Sequence, residues 1–372
     1  MRLLFTGGGT AGHINPAVSV AEMMRQKEED TKILFIGTKH GMESELIPRY
    51  GFDIEFINIH GFERKLSFSN IKVMAEFLSS IRKSKKIIKK FKPDAVIGTG
   101  GYVTGPVLYA ASKLKIPSMV HESNAYPGVT VRFLADKVDI VALAMEEAKK
   151  FLKNPKRIEV TGNPIRKSIS MIDKAEARKK LGLGDEKTVL IFGGSLGADY
   201  FNGVICDYIC ECVKSGKDYR FIMSAGKNNR YKKLYERFME NGVNPETCKN
   251  LTLCEYIYDM EYALNAVDLI IARSGSSVSE MLAAGKPAIL IPSPNVAGNH
   301  QEHNARAVEK KGAAVVITEN KLSCASLKEQ VERILEDNIL RVKMSKAAKD
   351  AAITDATEKL CMLIYELVKS RK

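Results

Sequence analysis

The sequence predicts an α/β chain built as two doubly wound domains. Three observations carry that prediction. The chain has 372 residues, and domains run to roughly 100–200 residues each. Short apolar runs alternate with amphipathic stretches along its whole length. One design also occurs twice. Leu3-Leu4-Phe5-Thr6 runs into Gly7-Gly8-Gly9-Thr10-Ala11-Gly12 and then a helical pattern. Val189-Leu190-Ile191-Phe192 runs into Gly193-Gly194-Ser195-Leu196-Gly197-Ala198 and then another. Each reads as the first strand of its own sheet.

In chain order the expected strands are Arg2–Thr6, Ile33–Gly37, Ile54–Ile57, Ala95–Thr99, Ser118–Glu122, Ile140–Ala142 and Ile158–Thr161. Thr188–Phe192, Arg220–Met223, Leu251–Cys254, Leu269–Ala272, Ala288–Ile291 and Ala314–Ile317 follow. Most are rich in Val, Ile and Leu without alternation, as in parallel strands buried on both faces. Helical patterns fill most of the intervals. Pro and Gly in Gly162-Asn163-Pro164-Ile165-Arg166 break regular structure and mark the linker. The expected boundaries are therefore 1–163 and 164–350, with a C-terminal helix in 351–372. Packing of that helix back on the first domain is one of its two options.

Composition narrows the function class. Hydrophobic residues are 45% and charged residues 27%, which excludes disordered and collagen-like chains. Lys and Arg number 57 against 44 Asp and Glu, a formal charge of +13. Such a balance favours nucleic acid, a phosphate-bearing ligand or an anionic membrane surface. The longest apolar runs, such as Ala288 to Pro292, are strand-sized, far below the ~18–20 residues of a membrane-spanning helix. Met1-Arg2-Leu3-Leu4-Phe5 turns at Gly7 too early for a signal-peptide core. A cytoplasmic protein that does not span a membrane is expected. The seven cysteines are Cys206, Cys210, Cys212, Cys248, Cys254, Cys324 and Cys361. An odd number without paired knuckles suits buried reduced thiols better than disulfides or zinc.

A strand that ends in glycines at a helix N-terminus offers backbone N–H groups and a positive dipole end to an anion. Four places do so: Gly7–Gly12, Thr99-Gly100-Gly101, Gly193–Gly197 and Ser274-Gly275-Ser276-Ser277. Gly7, Gly9 and Gly12 match G-x-G-x-x-G. A dinucleotide site also wants an acid after strand two, and Ile36-Gly37-Thr38 has none. A P-loop fails for want of Gly-Lys-Ser/Thr. One such turn is as consistent with a ligand-free strand–helix corner. Four in one chain favour a phosphate-bearing ligand in an interdomain cleft. His13 follows the first turn, and an unperturbed imidazole titrates near ~6.5, which suits a general base. The competing reading is a helix-terminal histidine that only hydrogen-bonds. His121-Glu122 ends a strand and is expected to point at the cleft, with Asn124 close behind. His300 and His303 lack a third ligand, so no metal site is expected, and no Asp-x-Asp occurs.

Leu66 to Lys92 combines helical spacing with charge. Ile71, Met74, Phe77, Leu78, Ile81 and Ile88 recur at helical intervals, with Leu66 and Phe68 as added apolar bulk. From Arg82 to Lys92, seven of eleven residues are basic. That suits an anionic membrane interface. The alternative is an ordinary sheet-packing helix with a solvated Lys face. Nucleic acid is disfavoured, because aromatics do not interleave with the charges.

The motifs together resemble one family. Gly7–Ala17, read Gly-Gly-Gly-Thr-Ala-Gly-His-Ile-Asn-Pro-Ala, is similar to the N-terminal signature of the MurG N-acetylglucosaminyltransferases. The resemblance continues through Gly98–Pro106, His121–Asn124 with Pro127-Gly128, and Gly162–Arg166. It then takes in Gly193–Ala198, Tyr256–Met260, Arg273–Gly275, Ser279-Glu280, Asn299–Ala305 and Asp355–Thr357. Two departures stand out. Ser123 replaces a more usual Gln, and Ser276-Ser277-Val278 makes the turn before Ser279-Glu280 one residue shorter.

The resemblance implies two Rossmann-like domains facing a cleft, the glycosyltransferase B type. It implies an inverting transfer from UDP-N-acetylglucosamine to the 4-hydroxyl of a polyprenyl-diphosphate-linked N-acetylmuramoyl pentapeptide. No cofactor or metal is implied. Thr10, Ala11, Gly12 and Asn124 would lie on the N-domain side, with His13 as base or orienting group. Arg166, Ser195, Ile257, the turn of Ser276, Ser277, Val278, Ser279 and Glu280, and Gln301 would bind the donor. The first domain would hold acceptor and membrane, and the second UDP-sugar, on the cytoplasmic side of the cell membrane. A diacylglycerol glycosyltransferase and a UDP-N-acetylglucosamine 2-epimerase are the alternatives. A non-catalytic nucleotide-sugar sensor is a third.

Overall fold

The computed structural model describes residues 1–60, 69–194, 198–227 and 229–370, without the side chains of Ala11 and residues 69–73. The chain divides into two units, Met1–Ile165 with Asp355–Lys372, and Arg166–Thr354. The first contains β1 (Arg2–Thr6), α1 (Ala11–Lys27), β2 (Lys32–Gly37), α2 (Glu43–Arg49), β3 (Asp53–Phe56) and α3 (Ser69–Phe91). β4 (Ala95–Gly98), α4 (Thr104–Lys113), β5 (Ser118–Glu122), α5 (Val129–Leu134), β6 (Ile140–Leu143) and β7 (Ile158–Val160) complete its sheet. The strand order is β3-β2-β1-β4-β5-β6-β7, parallel throughout.

Alternation along β1 explains the layers. Leu3 and Phe5 enter a core with Ile14, Ala17, Val18 and Ala21 of α1. Leu4, one step out of phase, enters a second core with Ile81 and Ile88 of α3 and Val107 and Leu108 of α4. Both faces are covered, so the strand needs apolar residues at every position.

The second unit starts with α6 (Ser168–Met171) and α7 (Lys174–Lys180). β8 (Lys187–Phe192), α8 (Asp199–Lys214), β9 (Tyr219–Ser224), α9 (Arg230–Glu240), β10 (Leu251–Cys254), α10 (Met260–Ala266) and β11 (Leu269–Ala272) follow. It ends with α11 (Val278–Ala283), β12 (Ala288–Leu290), α12 (His300–Lys310), β13 (Ala314–Val316), α13 (Cys324–Glu336) and α14 (Asn338–Ala351). Its sheet is ordered β10-β9-β8-β11-β12-β13. Val189, Ile191, Phe221 and Met223 pack there against Phe201, Ile205 and Ile209 of α8 and Leu327, Val331 and Ile334 of α13. The last helix, α15 (Ala356–Lys369), returns to the first unit, where Leu360, Ile364 and Leu367 share the core with α1.

All the expected strands are present, each within one residue of its expected ends. The thiols are more mixed than expected. Cys206, Cys210, Cys212 and Cys361 are buried, whereas Cys248, Cys254 and Cys324 are partly exposed, and all are free. None of the described helices is long and apolar enough to cross a membrane.

Each sheet has one place where the winding reverses. In the first it lies between β1 and β4, in the second between β8 and β11. Ligands of doubly wound sheets bind outside the carboxyl ends of the strands at this point. The four glycine turns named from the sequence follow β1, β4, β8 and β11, the strands that flank the two reversals.

Candidate active site

The first two turns are packed against each other so tightly that glycine is required. A Cβ on Gly7 would stand 2.1 Å from Thr99 Oγ1, and one on Gly101 would stand 2.3 Å from the Gly8 carbonyl oxygen. A Cβ on Gly100 would meet the His13 ring at 2.7 Å. Gly9, Gly100 and Gly101 also have φ of 86°, 107° and 80°, conformations that side chains resist. Thr99 Oγ1 donates to the His13 carbonyl at 2.6 Å and joins the second turn to the first turn of α1.

Thr10 caps α1 in extended conformation, its carbonyl accepting from the His13 and Ile14 N–H groups. Ala11 and Gly12 are the first two residues of α1, and Thr10 itself is exposed. His13 Nδ1 lies 3.0 Å from the Gly8 carbonyl oxygen. A carbonyl only accepts, so Nδ1 carries the proton and the neutral ring keeps its lone pair on Nε2. The sequence placed His13 at this turn but said nothing of the tautomer.

Asn124 is held by Glu122, to which the sequence alone assigns no role. Glu122 Oε1 accepts from the Asn124 N–H at 2.9 Å and from Asn124 Nδ2 at 2.8 Å, while Oε2 accepts from the Gly128 N–H at 2.8 Å. Burial pushes the Glu122 carboxyl up, and those hydrogen bonds pull it back. One carboxylate thus shapes the whole Ser123–Gly128 loop. His121 corrects an expectation. Its side chain is fully buried, and Nε2 donates to the Gly162 carbonyl at 2.9 Å. Strand alternation turns it into the protein, and burial lowers its pKa to about 4.

In the second unit Arg166 makes two ion pairs, with Glu261 at 2.7 Å and Glu280 at 3.3 Å. Glu280 sits in the first turn of α11, beyond the tight turn of Ser276 and Ser277. Burial pushes its carboxyl up, and the Arg166 charge opposes that rise. Val278 is buried, while Ser276, Ser277 and Ser279 are half-buried. Ile257 is buried on the loop between β10 and α10. Gln301, in the first turn of α12, accepts the Ser293 N–H at 2.8 Å through Oε1, and its carbonyl accepts from Ser274 Oγ at 2.7 Å. Asn304 Nδ2 donates to the Ser274 carbonyl at 2.9 Å, so α12 and the β11 turn are bonded together. Ser195 lies outside the described residues. A depression beside α12 is lined by Tyr200, Pro292, Asn299, Arg306 and Lys321. None of the residues expected at the donor lines it.

The basic segment forms α3. Ile81, Ser84 and Ile88 are buried, whereas Arg82, Lys83, Lys86, Lys89 and Lys90 are exposed. Met74 and Leu78 are about half exposed. Phe77 meets Phe133 edge-on with centroids 6.1 Å apart, and Val129 is 71% exposed. The apolar surface therefore spans α3 and α5, and the α5 part carried no signal in the sequence. Leu66 and Phe68 lie outside the described residues, as does the Ile71 side chain.

Comparison with known proteins identifies the family. The glycosyltransferase family 28 N-terminal domain matches residues 3–143, and its C-terminal domain matches 188–360. An Acetivibrio thermocellus protein is 44% identical over 100% of this chain and 99% of its own length. It is named UDP-N-acetylglucosamine--N-acetylmuramyl-(pentapeptide) pyrophosphoryl-undecaprenol N-acetylglucosamine transferase.

The chain belongs to the MurG family.

The crystal structure of Acinetobacter baumannii MurG matches with a TM-score of 0.78 at 26% identity, over 98% of this chain and 99% of that one. The fold is of the glycosyltransferase B type. A UDP-N-acetylglucosamine 2-epimerase from Neisseria meningitidis, solved with UDP-N-acetylglucosamine bound, matches with a TM-score of 0.69 at 16% identity. It covers 98% of this chain and 100% of its own. At that identity the likeness is one of fold alone, so epimerase chemistry gains nothing from it over membership of the MurG family.

Proposed function

We infer that this chain transfers N-acetylglucosamine from UDP-N-acetylglucosamine to a polyprenyl-diphosphate-linked N-acetylmuramoyl pentapeptide. The product is the second lipid intermediate of peptidoglycan synthesis. The observation that carries this is the end-to-end match to a relative whose name states that transfer.

The acceptor's 4-hydroxyl attacks the anomeric carbon as the bond to UDP breaks on the opposite face, which inverts the centre. The hydroxyl proton passes to His13 Nε2, in keeping with the tautomer that the Gly8 carbonyl selects. Glu122 keeps Asn124 in place on the acceptor side by engaging its Nδ2. The departing diphosphate gathers charge in the transition state. Arg166 and, by the family resemblance, Ser195 are the donors assigned to it. Glu280, already paired with Arg166, accepts from the ribose hydroxyls. Ile257 packs on uracil. The Ser293 N–H occupies Gln301 Oε1, which leaves Nε2 as the side that donates to sugar hydroxyls.

The lipid acceptor requires the enzyme to work at a bilayer. Exposed Met74, Leu78, Val129 and Phe133, beside the basic face of α3, form the surface assigned to anionic lipid on the cytoplasmic side. His13→Ala tests the catalytic assignment. It is expected to lower kcat by roughly 10²–10⁴-fold with unchanged affinity for UDP-N-acetylglucosamine. A near-normal kcat removes His13 from that role.

A further inference from the structure

The peptide between Gly8 and Gly9 joins two glycines, and its orientation decides which proton His13 carries. Its carbonyl accepts the His13 Nδ1 proton at 3.0 Å. Its N–H, on the other edge of the same planar group, donates to Glu43 Oε2 at 3.0 Å. The other oxygen of that carboxylate, Oε1, accepts from the Thr38 N–H at 2.9 Å and from Thr38 Oγ1 at 2.7 Å. Glu43 is 1% exposed.

The surroundings are built around that carboxylate. Gly8 comes from the turn after β1, and Gly37 and Gly41 from the end of β2 and its connection to α2; a Cβ on any of them would stand within 2.6 Å of a Glu43 side-chain atom. The charge is also felt next door. Burial first and Glu43 second push the Tyr102 phenol up, and a Cβ on Gly9 would touch the Tyr102 ring at 3.6 Å. A buried carboxylate is costly unless its oxygens are hydrogen-bonded. Here both are, and one of the bonds runs to the peptide that carries the His13 contact.

A Gly–Gly peptide has the least intrinsic orientation of any in a chain. Turned over, it would present N–H to His13 Nδ1, and the ring would then protonate on Nε2, the wrong nitrogen for a base at that position. A carboxylate on the N–H edge opposes that rotation. It also polarises the amide, so that the carbonyl accepts more strongly. The arrangement has the logic of a carboxylate–histidine pair with a peptide group interposed.

We propose that Glu43 is a positioning residue for His13, acting through the Gly8–Gly9 peptide to fix the tautomer that leaves Nε2 as the base. This rests on the reading of His13 as the base. The G-x-G-x-x-G turn also acquires a second meaning. One of its N–H groups, at Gly9, serves a carboxylate of the protein itself and not a ligand anion.

The test uses the full-length protein labelled with ¹⁵N-histidine. Long-range ¹H–¹⁵N correlation reads the tautomer of each ring at a pH where His13 is neutral, and loss of one signal set in His13→Gln assigns it. The wild type is expected to show the Nδ1–H form. Glu43→Gln keeps the volume but sets an NH₂ group against the Gly9 N–H or the Thr38 donors. It is expected to raise the Nε2–H share of His13 and to lower kcat by roughly 10–100-fold, with KM for UDP-N-acetylglucosamine unchanged. An Nε2–H ring in the wild type, or an unchanged tautomer in Glu43→Gln, overturns the proposal. An Nε2–H wild-type spectrum overturns the proposal even if Glu43→Gln does not fold, and Thr38→Val, which removes one donor to the Glu43 carboxylate, is then the variant in which the Nε2–H share is read. A shifted tautomer with normal kcat overturns the catalytic consequence, and His13→Ala then shows whether the base assignment itself is at fault.

Discussion

Gly101 holds two constraints at once. Its φ of 80° suits glycine, and a Cβ there would press on the Gly8 carbonyl oxygen, whose peptide is tied to Glu43 through the Gly9 N–H. That oxygen is the acceptor of the His13 Nδ1 proton. Gly101→Ala is therefore expected to cost roughly 3 kcal/mol or more in stability and to depress kcat in whatever protein remains folded. Denaturant unfolding together with steady-state kinetics would check both. A variant with wild-type stability would mean that the two turns are not pressed together. The glycines were legible in the sequence because glycine signals backbone freedom wherever it stands. Glu43 and Glu122 were not, because a carboxylate in sequence looks the same whether it is solvated or bonded to backbone N–H groups. Gly37 and Gly41 are near neighbours of Glu43 in the chain, but only the fold brings Gly8 to the same carboxylate.

At the scale of the element, strand β5 shows what the pattern can and cannot say. Ser118–Glu122 is a continuous run of buried residues between β4 and β6, and such runs mark parallel strands directly. The direction each side chain takes depends on phase, and the phase sends His121 into the protein while Glu122 reaches the loop. His121 has a consequence for stability. Burial lowers its pKa from 6.5 to about 4. The unfolded chain takes up a proton near pH 6.5 that the folded chain refuses until about pH 4. The contribution is present above 6.5 and is lost as pH falls through that window. At 1.36 kcal/mol per pKa unit, the loss is on the order of 3 kcal/mol. His121→Gln, which retains a donor for the Gly162 carbonyl, is expected to flatten the stability profile between about pH 4 and 6.5. An equally steep profile in the variant would assign the slope to other groups. Strand order was the part of the fold the sequence left open, because pairing is long-range. It is also what sets the strands that precede the four glycine motifs in two pairs, one at each reversal of winding.

For the whole molecule, part of the basic excess behind the charge of +13 lies along one helix. Arg82, Lys83, Lys86, Lys89 and Lys90 lie exposed along α3, next to the apolar surface of Met74, Leu78 and Phe133. Neutralising Lys86, Lys89 and Lys90 is expected to weaken binding to anionic vesicles by about 1 kcal/mol per charge, and added salt should reduce the difference. Vesicle sedimentation would measure it, and unchanged binding would leave α3 as a sheet-packing helix with a solvated face. The acceptor is the central claim. Purified protein should be given UDP-N-acetylglucosamine with, in turn, the polyprenyl-diphosphate-linked N-acetylmuramoyl pentapeptide, diacylglycerol, or no acceptor, and UDP release followed. Release with the first alone, and a disaccharide on the lipid product, is the expected result. Release only with diacylglycerol, or conversion of the donor sugar with no acceptor present, would contradict it.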